Sequence, residues 1–223
     1  MALRILKGKK IIEQADLSGI MSGFDSVAVD IGTGDGRFIY NLAKKSPGTF
    51  FIGLDPAAAN MFEYSSKIIK KPGKGGLPNV LYVVSNIEEL PDELSGIAGN
   101  IYINLPWGSL LEGVVKASDY VLCNVIRLAK PPEASLELCF TYSELHELGE
   151  MDRRELPELS LAYIKETLVP LYEKKGIRIK QLGTIDNEDL REHGTQWSKR
   201  LGFGRSREVY RISAVINKKI KIF

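Results

Sequence analysis

The chain has 223 residues, 44% of them hydrophobic and 26% charged, and its 30 basic and 28 acidic side chains leave a net charge of +2. That is enough apolar material for a buried core and too little net charge for indiscriminate binding to bare duplex nucleic acid. No apolar run nears the ~18 residues of a membrane span, the first residues lack a signal-peptide stretch, and Cys123 and Cys139 sit in apolar runs that favour reduced core thiols, so collagen-like, membrane and disulfide-scaffold classes are excluded and a cytoplasmic location is expected.

In chain order, Ile5-Leu6 and Ile11-Ile12 flank Lys7-Gly8-Lys9-Lys10, the pattern of a short hairpin within an N-terminal extension, residues 1–15. Strand-like apolar runs follow at Ser26–Ile31, Thr49–Leu54, 79–84, 100–105 and 134–141, with helical spacing at Arg37–Lys45, 57–71 and 118–129 between them. A last helix is expected over 161–175, with Pro170 placed to kink it, and two more strands at Ile177–Ile185 and 209–216. Alternation of this kind predicts an α/β protein with a mostly parallel seven-stranded sheet and an antiparallel C-terminal strand, in a single domain spanning 1–223. Two polar segments break the alternation, 142–160 and 186–207. Both follow strands, so each is read as an inserted cover over the ligand side of the sheet, with a solvated helix as the plainer reading of the acidic one.

The strongest local signal is Val29-Asp30-Ile31-Gly32-Thr33-Gly34-Asp35-Gly36, at the end of the first long strand. Glycines there let the backbone turn and approach a ligand. Asp30 would attract a cation and repel a pyrophosphate. Asp55 ends the next strand, where an acid can accept both hydroxyls of a ribose. Ile87 and Glu88 follow the third, where an adenine ring would lie. Together they favour S-adenosylmethionine over a nicotinamide dinucleotide or a purely structural turn. The fourth strand runs into Asn104-Leu105-Pro106-Trp107-Gly108, a partial match to the Asn-Pro-Pro-aromatic tetrad of amino-group methyltransferases; the plainer reading is a turn with a buried Trp.

From Tyr64 to Ile87 there is no acidic residue. Lys67, Lys70 and Lys71 are spaced for one helical face, and Lys74 follows in a Pro-Gly loop. A second cluster holds Lys199, Arg200, Arg205, Arg207 and Arg211, just after Trp197. Two such clusters, read as loops on the ligand side, favour contact with the phosphates of a structured RNA. Trp107 and Trp197 could stack on either side of an extruded base. His146 and His193 form no metal set with the cysteines.

The strings DIGTGDGR-x-IY, Asp55-Pro56, KIIKKP-x-KGGL-x-NV, PWG-x-LLE and W-x-KRL-x-FGR resemble the kanamycin–apramycin resistance methyltransferases of small-subunit ribosomal RNA, the Kam and Npm group, along nearly the whole chain. The resemblance implies a Rossmann-like class I fold and transfer of a methyl group from S-adenosylmethionine to N1 of one decoding-site adenine of 16S rRNA, with aminoglycoside resistance as the result. It implies the 30S subunit as partner, with no metal and no obligate protein partner. By the same resemblance Asp30, Gly32, Gly34, Asp55, Ile87, Glu88, Asn104, Leu105, Pro106, Ser109 and Thr195 are cofactor-binding positions, and Trp107 and Trp197 clamp the base. Lys67, Lys70, Lys71, Arg153, Arg200, Arg205 and Arg207 become RNA contacts. Phe38 and Leu105 depart from the family pattern. Rival readings are a methyltransferase for tRNA guanine N7 or adenine N6, a small-molecule methyltransferase, and a non-catalytic RNA-binding protein.

Overall fold

The computed structural model describes residues 3–14, 16–185 and 208–218. Strands β1 (Leu3–Lys7) and β2 (Lys10–Gln14) form an antiparallel hairpin, followed by the short helix α1 (Ser18–Met21). Then come β3 (Ser26–Ile31), α2 (Arg37–Lys45), β4 (Thr49–Leu54), α3 (Phe62–Ile68), β5 (Val80–Val83), β6 (Asn100–Asn104), α4 (Gly108–Val115), α5 (Asp119–Leu128), β7 (Glu133–Phe140) and α6 (Glu144–Arg154). Helix α7 (Leu161–Tyr163) passes through a wide π turn, Ile164–Leu168, into α8 (Val169–Lys174), and β8 (Ile177–Ile185) and β9 (Val209–Asn217) complete the sheet. The wide turn lies just before Pro170, whose ring nitrogen cannot donate the helical hydrogen bond.

The described residues form a nine-stranded sheet in the order β2-β1-β5-β4-β3-β6-β7-β9-β8. The expected count of seven is two short, because the N-terminal hairpin joins the sheet. β1 pairs antiparallel with β5 through Ile5↔Val83 and Leu6↔Tyr82, burying Leu3, Ile5 and Leu6. The five central strands are parallel, and β9 runs antiparallel to both β7 and β8.

Neighbouring strand residues serve opposite faces. Val29, Ile52 and Ile101 pack with Leu111, Val114, Leu122 and Val125 of α4 and α5. Ala28, Phe51 and Tyr82 pack with Ile39, Tyr40 and Tyr64 of α2 and α3. With both faces covered, the central strands are mostly apolar, polar residues such as Asp30 and Asn104 falling near their carboxyl ends, and the ligand side is left to the loops there.

Three further expectations need correction. Helix α3 stops at Ile68, so Lys70 and Lys71 lie beyond it rather than on its face. Pro72 disfavours helix at the residue before it, and the chain folds back with Leu77 N–H donating to Ile68 O at 3.0 Å. Helix α4 has no counterpart among the helices expected from spacing. Cys139 is buried, but Cys123 is exposed on α5.

Candidate cofactor and base-binding site

A cavity of about 480 Å³ opens where β3, β4, β5 and β6 end, lined by Asp30, Gly32, Gly34, Asp55, Ile87, Glu88, Asn104, Leu105, Pro106, Trp107 and Ser109 among others. Every cofactor position expected from sequence within the described residues therefore borders one space. Thr195 and Trp197, like Arg200, Arg205 and Arg207, lie outside the described residues.

The glycine turn is shaped by its neighbours. Gly32 N–H and Thr33 N–H donate to Leu54 O at 2.8 and 3.0 Å, joining the ends of β3 and β4. At Gly36, φ is +80°, and a Cβ would sit 2.2 Å from the Tyr82 ring. Tyr82 fills that space and donates its hydroxyl to Gly36 O at 2.9 Å. No other residue type fits there.

Asp55 accepts backbone N–H groups on each carboxylate oxygen, from Gly34 at 2.9 Å and Ala57 at 2.8 Å. These bonds fix its orientation and leave lone pairs toward the cavity. Asp30 is 2% exposed. Asn104 Nδ2 donates to it at 3.2 Å. Burial pushes the Asp30 carboxyl up to about 7, and hydrogen bonding only partly offsets it. A buried carboxylate beside a cavity is a socket for a cation. Oε1 of Glu88 is buried without a hydrogen-bond partner among the described residues. Such an acceptor calls for a ligand N–H.

Trp107 precedes α4 and is half exposed at the cavity, so it does not serve the core. Leu105 holds a left-handed φ of +49°, turning the chain between β6 and Trp107, and its side chain packs with Cys139, Ile185 and Val209. Phe38 stacks edge-on against Tyr102 at 5.3 Å, outside the cavity lining.

Two residues that motif reading passed over tie the acidic segment down. Arg154 Nη1 donates to Glu112 Oε2 at 2.9 Å, linking α6 to α4, and Lys116 Nζ donates to Arg154 O at 2.6 Å. The only sequence signal was the final Glu of PWG-x-LLE. Arg153 is exposed and pairs with Glu150 of its own helix. Arg211 lies on β9 and pairs with Glu137 at 3.2 Å.

Lys67 stands over the Tyr40 ring at 4.5 Å. The loop carrying Lys70, Lys71 and Lys74 leads into β5, so it lies at the amino ends of the parallel strands. The ligand-side placement expected for it is therefore wrong, and the cavity is about a strand length away, roughly 13 Å. No group of three or more metal-ligating side chains occurs among the described residues, and no described helix is long and apolar enough to cross a membrane.

The family model for NpmA, 16S rRNA (adenine(1408)-N(1))-methyltransferase, matches residues 4–216. The chain belongs to this family. A relative from Escherichia coli, a 16S rRNA (adenine(1408)-N(1))-methyltransferase, is 46% identical over 96% of this chain and 99% of its own length. The structure of a mutant 16S rRNA (adenine(1408)-N(1))-methyltransferase from Catenulisporales acidiphilia, solved with its cosubstrate SAM, superimposes with a TM-score of 0.86 at 32% identity, over 99% of each chain. The aminoglycoside resistance methyltransferase NpmB1 superimposes at 0.80 with 35% identity, over 95% of this chain and 99% of that one. The cavity holds a buried carboxylate at Asp30, an oriented carboxylate at Asp55 and a Glu88 oxygen with no hydrogen-bond partner among the described residues. All three suit S-adenosylmethionine, which carries a cation, a ribose and an exocyclic amine.

Proposed function

We infer that the protein is an S-adenosylmethionine-dependent methyltransferase acting on N1 of adenine 1408 in 16S rRNA of the small ribosomal subunit, and that it confers aminoglycoside resistance. The match over residues 4–216 carries this reading, because it spans the cofactor cavity and the added segments alike. All strands of the described residues lie in one sheet, which supports one methyltransferase domain. A ribosomal substrate implies a cytoplasmic protein.

When bound, the cofactor supplies an electrophilic methyl group on a sulfonium. The chain's own residues have four tasks. Asp55 holds the ribose hydroxyls. Glu88, whose Oε1 is buried without a hydrogen-bond partner among the described residues, would accept an N–H of the cofactor's adenine. Asp30, steadied by Asn104, faces the cationic end. Trp107 offers its indole face to the target base, with Trp197 as its partner in the clamp. Adenine N1 has a lone pair at neutral pH, so no general base is needed and positioning supplies most of the effect. An indole face also favours the positive charge that develops on the methylated base.

The lysines at the amino ends of the strands support a large substrate. A small acceptor filling the cavity could not reach them, whereas an RNA surface can cover both ends of the sheet. The test is primer extension on 16S rRNA from small subunits incubated with the protein and S-adenosylmethionine. A new stop at adenine 1408, with 1-methyladenine in the digest, is expected. Methyl label in tRNA or at N6 would overturn the reading.

A further inference from the structure

We propose that the turn of the N-terminal hairpin is a second RNA-contacting element, in which Lys7, Lys9 and Lys10 meet the phosphate backbone of the ribosomal substrate beside Lys70, Lys71 and Lys74. The proposal rests on the function inferred above and extends it to a surface distant in sequence.

The hairpin turn is held in a fixed place. Gly8 takes the first central position with φ +66°, as a two-residue hairpin turn requires. A Cβ at Gly8 would lie 3.5 Å from Ile69 Cδ1 and 3.9 Å from Ser66 Oγ, so the turn rests on the end of α3. One turn of chain away, Ser65 Oγ donates to Leu6 O at 2.8 Å in a buried bond. The neighbouring lysine loop is also pre-shaped, with Lys74 N–H donating to Lys71 O at 2.8 Å and Gly76 N–H to the same oxygen at 3.2 Å. The antiparallel pairing of β1 with β5 points the hairpin turn toward the start of β5. The lysine loop ends there too, so the two elements share one end of the sheet.

The charges have no internal explanation. Lys7 and Lys10 stand directly opposite each other in the register, and Lys9 sits between them in the turn. Like charges in that arrangement repel. All three are exposed, as are Lys70, Lys71 and Lys74, and none of the six forms an ion pair among the described residues. The acid of the hairpin, Glu13, faces Arg4 at the other end. An array of mutually repelling ammonium groups on a fixed support is complementary to a polyanion, and releasing counterions from RNA would make the contact favourable.

The test uses the full-length protein and purified small subunits, comparing wild type with a Lys7→Ala, Lys9→Ala, Lys10→Ala triple variant. The triple variant should bind subunits about tenfold more weakly near 0.1 M salt, with a salt slope shallower by about three. Its melting temperature should be equal or higher, and its affinity for S-adenosylmethionine unchanged. A Lys→Arg triple variant, which keeps the charge, should bind like wild type. Hydroxyl-radical footprints should lose protection on rRNA when the lysines are removed. Unchanged affinity and slope would overturn the proposal. So would weaker binding with an intact rRNA footprint, since the contact would then be with a ribosomal protein. A wild type that methylates adenine 1408 while the triple variant binds equally well sinks the hairpin proposal alone; a wild type that leaves that base unmodified overturns the function and the proposal with it.

Discussion

Burial pushes the Asp30 carboxyl up to about 7 from an unfolded value of 3.8. Between those values the folded state holds a proton that the unfolded state has released, so stability falls as pH rises from about 4 to 7. Asp30→Asn keeps the shape and an acceptor for Asn104 without the charge. It should therefore stabilise the cofactor-free protein at pH 8 by about 2–4 kcal/mol, and by little near pH 4. Melting curves at both pH values check this, and equal melting temperatures at pH 8 would refute it. Binding has the opposite requirement, because the cation needs the ionised form. Affinity for S-adenosylmethionine should fall below pH 7, by up to roughly tenfold per pH unit, and calorimetry between pH 5.5 and 8 reads it. Trp107 is 50% exposed, so Trp107→Ala should cost less than about 1 kcal/mol of stability while abolishing methyl transfer. Trp107→Phe should keep part of the activity, since a smaller ring still stacks. A Trp107→Ala protein with full turnover would remove the indole from the site. That Asp30, Asp55 and Glu88 border one cavity was legible because neighbouring parallel strands bring the segments at their carboxyl ends together, and short sequence windows mark those ends. Arg154 was not, because its partner Glu112 is 42 residues away and meets it only in the folded chain.

Helix α4 shows how element boundaries escaped the reading. Its sequence, GSLLEGVV, is short, apolar and interrupted by Gly113. That glycine is a packing residue: a Cβ there would lie 2.2 Å from Val121 Cγ2 on α5. Helix propensity alone would favour alanine by about 1 kcal/mol. Contact should win, so Gly113→Ala is expected to destabilise by about 1–3 kcal/mol. Adding Val121→Ala should recover part of that loss, a coupling measurable by denaturant melts of the two single variants and the double. Strict additivity would show that the helices do not meet as described. The premature end of α3 has a comparable cause, since the lysine spacing suits a helix while Pro72 and the hydrogen bond to Ile68 O draw the chain into a loop.

At the scale of the molecule, the five apolar-rich runs of the parallel strands were enough to lay out the centre of the sheet, because strands covered on both faces announce themselves by composition. The hairpin's place in that sheet was hidden. β2 is exposed along its length, with Ile11 and Ile12 at 42% and 38%, and the partner of β1 is distant in sequence. The cavity is walled by the ends of four neighbouring strands, β3 to β6, at the centre of the sheet. A ligand there fastens the part of the fold whose opening would expose the core. At a hundredfold excess over its dissociation constant it adds about 2.7 kcal/mol to global stability. Resistance to thermolysin should accordingly rise with S-adenosylmethionine concentration, and the dependence should be lost in Asp55→Ala; a digestion rate indifferent to the cofactor would contradict it. Inside a cell, proteases sample the same opened state. The lifetime of this protein, and with it the standing level of drug protection, would then follow the supply of methyl donor.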